Sequence, residues 1–315
     1  MNENNFQHIY GPVPSRRLGR SLGIDLVPLK TCTYDCVYCQ LGRTTNKTIE
    51  RKEYVAIEEV LAELEKKLSV GPSPDYITLA GSGEPTLNNG IGHLIHRIKN
   101  LTNIPVTVLT NGSLLWMSEV QEDLMMADVI LPDLDAGDER LFQYVNRPHA
   151  GISFEQMVEG IAAFTRRFPG QVWLEVFLLG GITGIPAEVE KIAAIAQRIQ
   201  PERIQLNTVT RPPAEESARQ VPADQMECFR KFFSKTAEVI AENELDEPSS
   251  KPAQEVTDTD IVALLSRRPC TVKDISSGLR MNASEVIKRL QVLSQKGIVV
   301  SIRKNNAIFY EAARK

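Results

Sequence analysis

The stretch Thr31-Cys32-Thr33-Tyr34-Asp35-Cys36-Val37-Tyr38-Cys39-Gln40-Leu41-Gly42 gathers three cysteines within eight residues. Three thiolates so close cannot all pair as disulfides, but a loop wrapped around a metal centre can turn them to one face. A four-iron cluster wants four ligands and this loop offers three, which leaves one iron open to a small molecule. A zinc site is the first competing reading, yet zinc knobs usually show two ligand pairs and no second pair is present. Buried, unligated thiols are the other.

Working outward, Leu22, Ile24 and Leu26 alternate as in a short strand that delivers the chain to Thr31. Arg16, Arg17 and Arg20 precede it and could face an anionic group. Downstream, the apolar spacing of Val60, Leu61, Leu64 and Leu68 predicts a helix from Glu58 to Leu68, stopped by Gly71-Pro72-Ser73-Pro74. Strand–helix alternation then continues through strands at Tyr76–Ala80, Val106–Leu109, Val129–Leu131, Val172–Leu179 and Arg203–Val209. The helices between them are predicted at Ile91–Leu101, Ser118–Met126, Phe154–Arg167 and Ala187–Ile199.

The polar signals fall after strands or near their ends: the cysteines, then Gly81-Ser82-Gly83-Glu84-Pro85, Asn111, Asp133 with Asp135, Gly180, and Asn207. That is the pattern of a parallel (β/α) barrel with its site at the C-terminal mouth. The fold class expected is α/β, a partial (β/α)6 TIM-like barrel with a small C-terminal winged helix-turn-helix domain.

The C-x3-C-x2-C spacing, with aromatic Tyr38 before the last cysteine, resembles the cluster loop of the radical S-adenosylmethionine (SAM) superfamily. The Gly81-to-Pro85 turn is similar to that superfamily's G-G-E-P segment, with Ser82 in place of the first glycine. Asn146-Arg147-Pro148-His149 and Leu206-Asn207-Thr208-Val209 resemble the branch related to wyosine tRNA-base synthesis. No cysteine precedes Thr31, so the second cluster of the archaeal wyosine enzymes is not expected.

The resemblance implies a [4Fe-4S] cluster on Cys32, Cys36 and Cys39 whose open iron chelates S-adenosyl-L-methionine. It also implies reductive cleavage of SAM and hydrogen abstraction from a tRNA base, a polypeptide or a small metabolite. The cofactor contacts implied are Tyr38; Ser82, Gly83 and Glu84 around the amino group; and Asn111, Asp133, Asp135 and Asn207 around ribose and adenine. An external electron donor such as flavodoxin or ferredoxin is implied as well. His149, in a post-strand loop, is a further candidate for substrate contact.

The expected domains are the barrel at 10–243, an acidic, proline-containing linker at 244–256 and a winged-helix-like domain at 257–315. The domain reading rests on a cap at Thr257-Asp258-Thr259, helices through Leu265, at Thr271–Leu279 and after Asn282, and a hairpin with a basic tip, Arg303-Lys304-Asn305-Asn306. From Ala253 onward there are 11 Lys and Arg against 6 Asp and Glu, a net +5, which leaves 25 against 34, a net −9, for the rest.

A basic module of this shape could touch nucleic acid through Lys288, Arg289, Arg303 and Lys304, or a peptide partner instead. The alternative to an enzyme is therefore a cluster-bearing, redox- or SAM-responsive nucleic-acid-binding regulator. The polar first ten residues, the lack of any membrane-length apolar run and only five cysteines, three of them bunched, predict a cytoplasmic protein without membrane partners.

Overall fold

The computed structural model describes residues 6–15, 17–69, 73–233, 236–240, 256–279, 281–304 and 307–313. Arg16, the stop at 71–72, all of the expected linker except Val256, and the wing tip 305–306 lie outside them.

The chain begins with β1 (Ile9–Ser15) and β2 (Gly19–Ile24), an antiparallel pair. The cysteine loop starts in β3 (Thr31–Cys32), held in a two-residue parallel pairing with β4 (Asn46–Lys47). Alternation follows: α1 (Ile57–Ser69), β5 (Tyr76–Leu79), α2 (Ile91–Leu101), β6 (Val106–Thr110), α3 (Ser118–Leu124) and β7 (Val129–Pro132). Next come α4 (Glu139–Val145), α5 (Phe154–Arg167), β8 (Gln171–Leu178), α6 (Pro186–Ile199), β9 (Arg203–Thr208), α7 (Ala223–Arg230) and β10 (Ala237–Val239).

The main sheet runs β1-β2-β5-β6-β7-β8-β9-β10, parallel throughout except at β1. All six strands expected from the sequence are present, and the sheet extends past both ends of that set. β1 is interrupted by Gly11-Pro12 and Pro14, a composition that speaks against a strand, and its antiparallel pairing to β2 overrides it. β10 is three residues long, too short for a periodic signal, and is fixed by its ladder to β9.

Helices bury one apolar stripe each against the strands: Val60, Leu61 and Leu64 of α1, Ile91, Leu94, Ile95 and Ile98 of α2, and Val189, Ile192 and Ile199 of α6 are all buried. Two of the helices are capped at their N-termini by side chains. Ser153 accepts from Gln156 N at α5, and Asp138 accepts from Leu141 N at α4. No helix among the described residues is long and apolar enough to cross a membrane.

The C-terminal module is α8 (Asp258–Arg267), α9 (Val272–Leu279), α10 (Ala283–Gln295) and the hairpin β11 (Val299–Lys304) with β12 (Ala307–Ala312). Thr257 and Asp260 cap α8 reciprocally, and Asn282 caps α10. This is the winged arrangement the sequence predicts.

Its docking is not predicted by the sequence. Val13 of β1 lies in one apolar cluster with Ile261, Leu264, Leu265, Ile275, Val286 and Leu290, so the module completes its core on a barrel strand. Arg267 Nε donates to Asp25 Oδ2 at 2.8 Å, Arg267 Nη2 donates to the Gln7 carbonyl at 3.2 Å, and the guanidinium lies 4.4 Å from the centre of the Tyr10 ring. Arg211 pairs with Asp274 at 3.6 Å.

Asp25 is buried, and burial pushes its carboxyl up against the opposing pull of Arg267. Arg267→Met would keep the cover over Tyr10 and leave that carboxylate without its cation, so it is expected to cost roughly 3 kcal/mol of docking. Faster hydrogen exchange in α8 and in the Ser82 turn checks this; unchanged exchange in both would count against the pairing.

Candidate active site

Thr31 begins the loop with its amide on the Pro28 carbonyl at 3.0 Å, directly after Lys30, a buried residue in left-handed backbone at φ 62. The loop is then pinned from outside. Asp35 N donates to Asn146 O at 3.0 Å, Val37 N to Val145 O at 2.9 Å, and Glu215 N to Val37 O at 3.0 Å. Cys39 N closes back on Cys36 O at 3.2 Å. Buried Val37 packs with Val145, Leu179, Val209 and Ala218, so the loop has an apolar anchor of its own.

Cys32, Cys36 and Cys39 are free, half-buried and line one cavity of about 650 Å³. Each sulfur has its own nitrogen donor. Asn111 Nδ2 lies 3.6 Å from Cys32 Sγ, Asn146 Nδ2 lies 3.6 Å from Cys36 Sγ, and Lys30 Nζ lies 3.2 Å from Cys39 Sγ. Three N–H groups directed at three sulfurs suit thiolates, whose charge such bonds stabilise.

Burial, with Glu84 nearby, pushes the unligated Cys32 thiol up to about 12, and burial with Asp135 and the other two cysteines raises Cys36 as well. A cationic centre would reverse that preference, since metal binding deprotonates a coordinating thiol outright. No three His, Cys, Asp or Glu side chains among the described residues close on a single ion. A cubic cluster makes a different demand, taking one thiolate at each of three separate corners, and the donor set present fits it.

Lys30→Met is expected to weaken cluster retention roughly 10- to 100-fold, the usual cost of losing a ligand's outer partner. Iron content after anaerobic gel filtration checks it, and full retention would show that the ammonium is not needed.

The Gly81-to-Pro85 turn packs onto this loop. Lys30 N donates to Ser82 O at 2.7 Å and Glu84 N donates to Thr31 O at 3.1 Å. A Cβ on Gly83 would stand 1.8 Å from the Thr31 carbonyl oxygen, so only glycine allows this approach. Ser82 N donates to Asp25 Oδ1 at 2.7 Å, and Asp25 thus joins the turn to Arg267 of the C-terminal module.

Glu84 is buried, and its carboxylate accepts from Thr86 N, Thr86 Oγ1, Thr110 Oγ1 and Asn111 N at 2.6 to 3.1 Å. Its side chain thereby fixes the Asn111 turn. Asn111 in turn donates to Thr33 Oγ1 at 2.7 Å and accepts from Ser113 N at 3.0 Å.

On the far wall, Tyr38 stacks on Phe177 with ring centres 4.2 Å apart, and its hydroxyl donates to Asp135. Asp135 also accepts from Asn146 Nδ2 at 2.6 Å and Phe177 N at 3.3 Å. Burial raises its carboxyl to about 6 against those donors. Asp133 lines the cavity itself, and burial beside Glu175 and Asp135 pushes its carboxyl well above the usual range. Asn207 Nδ2 donates to Glu175 Oε1 at 2.9 Å, and Glu175 also pairs with Arg17.

Of the residues singled out from the sequence, the three cysteines, Tyr38, Gly83, Glu84, Asn111, Asp133 and Asn207 all line the one cavity. Ser82 and Asp135 stand behind that surface, tied to residues that do line it. Arg17 faces the cavity, whereas Arg20 turns to Ser73 at the surface. His149 Nδ1 accepts from Gly151 N within its own loop. Lys30, Asp25 and Glu175 were not singled out, and Asn146 entered only as part of the Asn146-to-His149 motif, with no role in the site assigned to it. For Glu175, the one acid inside the apolar strand Val172–Leu179, that isolation was the available signal.

Comparison with known proteins agrees with this geometry. Residues 26–208 match the family described as the Radical SAM superfamily, and residues 258–301 match the one described as bacterial regulatory protein, arsR family. A protein of Brachyspira hyodysenteriae named GTPase Obg is 40% identical over 309 residues, of which this chain spans 96% of its own length but 45% of that protein. A UPF0026 protein of Methanocaldococcus jannaschii is 32% identical over 310 residues, covering 96% of this chain and 94% of that one.

Among solved structures, a radical SAM methyltransferase from Sphaerobacter thermophilus superposes with a TM-score of 0.55 at 16% identity, over 70% of this chain and 65% of that one. Streptococcus suis SuiB bound to its precursor peptide SuiA gives 0.53 at 11%, over 69% and 48%. These two likenesses speak for the fold alone. By the match over its barrel and the near full-length match to the archaeal protein, the chain belongs to the radical SAM superfamily, among its UPF0026 proteins.

Proposed function

We propose that the chain binds a [4Fe-4S] cluster on Cys32, Cys36 and Cys39, cleaves S-adenosyl-L-methionine reductively there, and abstracts hydrogen from a substrate held in the same cavity. The observation that carries this reading is the set of three thiols, each with its own N–H donor, lining a cavity that also takes in Gly83, Asp133 and Asn207. When bound, the cluster and SAM together supply a one-electron cleavage that yields a 5′-deoxyadenosyl radical.

The chain's own residues would orient and shield. The backbone of the Gly83 turn lies against the start of the cysteine loop, where the amino end of SAM would sit. Glu84 holds that turn to Asn111 through its hydrogen bonds. Asp133, which lines the cavity, would accept from ribose hydroxyls, and such hydrogen bonds to its carboxylate would offset the burial that raises its affinity for a proton. Asn207 and Asn111 would edge the adenine or ribose. The stacked Tyr38 and Phe177 form an apolar wall that keeps water from the reacting atoms.

An external one-electron donor such as flavodoxin or ferredoxin would reduce the cluster. The test is anaerobic reconstitution with dithionite and SAM. Iron and sulfide near four each per chain, with 5′-deoxyadenosine formed, is the expected result. A chain that binds zinc or no metal and leaves SAM intact would defeat the reading.

The winged module is better read as part of this chamber than as a free reader of duplex DNA. Arg289 is held by Glu285, Asp258 and the Val256 carbonyl, and the Lys304 ammonium feels Glu216 of the barrel. Ala307 and Phe309 of the hairpin face the cavity.

A further inference from the structure

The cavity holding the cysteines is closed on its other side by the C-terminal module, through Leu264, Arg268, Thr271, Lys273, Ala307 and Phe309. Its charge is arranged unevenly. On the barrel side and at the domain seam the cations are matched: Arg17 by Glu175, Arg211 by Asp274, Arg267 by Asp25, and Lys30 by the Cys39 sulfur.

Arg268 and Lys273, flanking the turn between α8 and α9, have no carboxylate partner among the described residues. Arg268 lines the chamber together with Tyr10 of its barrel wall. Beside them Phe309 is only 6% exposed yet belongs to none of the apolar clusters; its ring borders the cavity instead of a core. Two uncompensated cations next to an unclaimed aromatic face, in a space of drug-like volume, make a binding subsite.

We propose that Arg268 and Lys273 hold an oxyanion of the substrate, a phosphate or a carboxylate, while Phe309 covers the apolar or aromatic body beside it. The substrate would then lie between the C-terminal module and the cysteine wall, with its anionic end away from the thiolates. The inference rests on the reading of the cavity as a radical SAM site. It gives the module a task within that site, that of recognising substrate.

The experiment uses the full chain, anaerobically reconstituted and saturated with SAM so that the cofactor subsite is filled. Binding of pyrophosphate and of citrate is measured by calorimetry, the first reporting on phosphate and the second on carboxylate. At least one probe is expected to bind, and the stronger of the two names the anion. Arg268→Met with Lys273→Met should weaken it at least tenfold, Arg268→Lys should retain most of the affinity, and Lys296→Met, at the exposed end of α10, should change nothing.

Absence of binding by either probe, or equal binding by the double variant, overturns the proposal. Circular dichroism on every variant confirms folding, and Arg268→Lys keeps the test valid if the double variant is unstable. Formation of 5′-deoxyadenosine is followed in the same samples. If the unmodified chain cleaves SAM but binds no anion, only this inference falls. If it binds anions but neither iron nor SAM, the reading of the site falls, and with it the assignment of the anion as substrate.

Discussion

Replacing Cys36 by alanine is expected to abolish cluster binding and SAM cleavage together. With one sulfur gone, two corners of a cube would be held by protein where three are needed, and Asn146 Nδ2 would lose its sulfur partner while keeping Asp135 at 2.6 Å. The fold should survive. The neighbouring Val37 is fully buried in its own apolar cluster, and its amide is held by the Val145 carbonyl at 2.9 Å. The variant should therefore unfold near the same temperature as the parent chain while losing iron, visible absorption and 5′-deoxyadenosine formation. Retention of iron and of cleavage by the folded variant would remove Cys36 from the ligand set.

Gly83→Ala should have the next largest effect, through geometry in place of chemistry. The added methyl would meet the Thr31 carbonyl oxygen at 1.8 Å, and backbone stands on both sides of that contact. The turn can retreat only by breaking Lys30 N to Ser82 O and Glu84 N to Thr31 O. Such overpacking costs about 1–3 kcal/mol or more, so SAM affinity should fall roughly tenfold or beyond, a factor of ten being about 1.4 kcal/mol. Iron content should fall less, because no ligand is removed. Equilibrium dialysis with SAM measures the first and iron assay the second; unaltered SAM affinity would show that this close approach does not shape the cofactor site.

Much of this site was legible along the chain because the relevant signals are local. Three cysteines in eight residues, a glycine turn after a strand and an aspartate pair after another each occupy one short segment. The parallel topology then brings strand ends to one mouth without further information. The donors to the sulfurs were not legible in the same way. Asn146 lies 110 residues from Cys36, and Asn111 lies 79 from Cys32. Even Lys30, nine residues from Cys39, reaches its sulfur from a left-handed backbone that a lysine seldom adopts. Glu84 was read as a cofactor contact from its motif, and its side chain proves to be engaged by four protein donors.

By itself the sequence determined the cysteine loop, the six central strands with their helices and the winged shape of the last sixty residues, because periodicity, caps and turn residues act over a few positions. Tertiary structure alone decided where the winged module sits. Its core is completed by Val13, its Arg267 reaches Asp25, and its Phe309 faces the cysteine cavity, contacts that join residues about 240 to 290 positions apart. No local pattern encodes such a pairing. It exists because an apolar stripe left bare on β1 and a buried carboxylate beside it are both unstable in water until another part of the chain covers them.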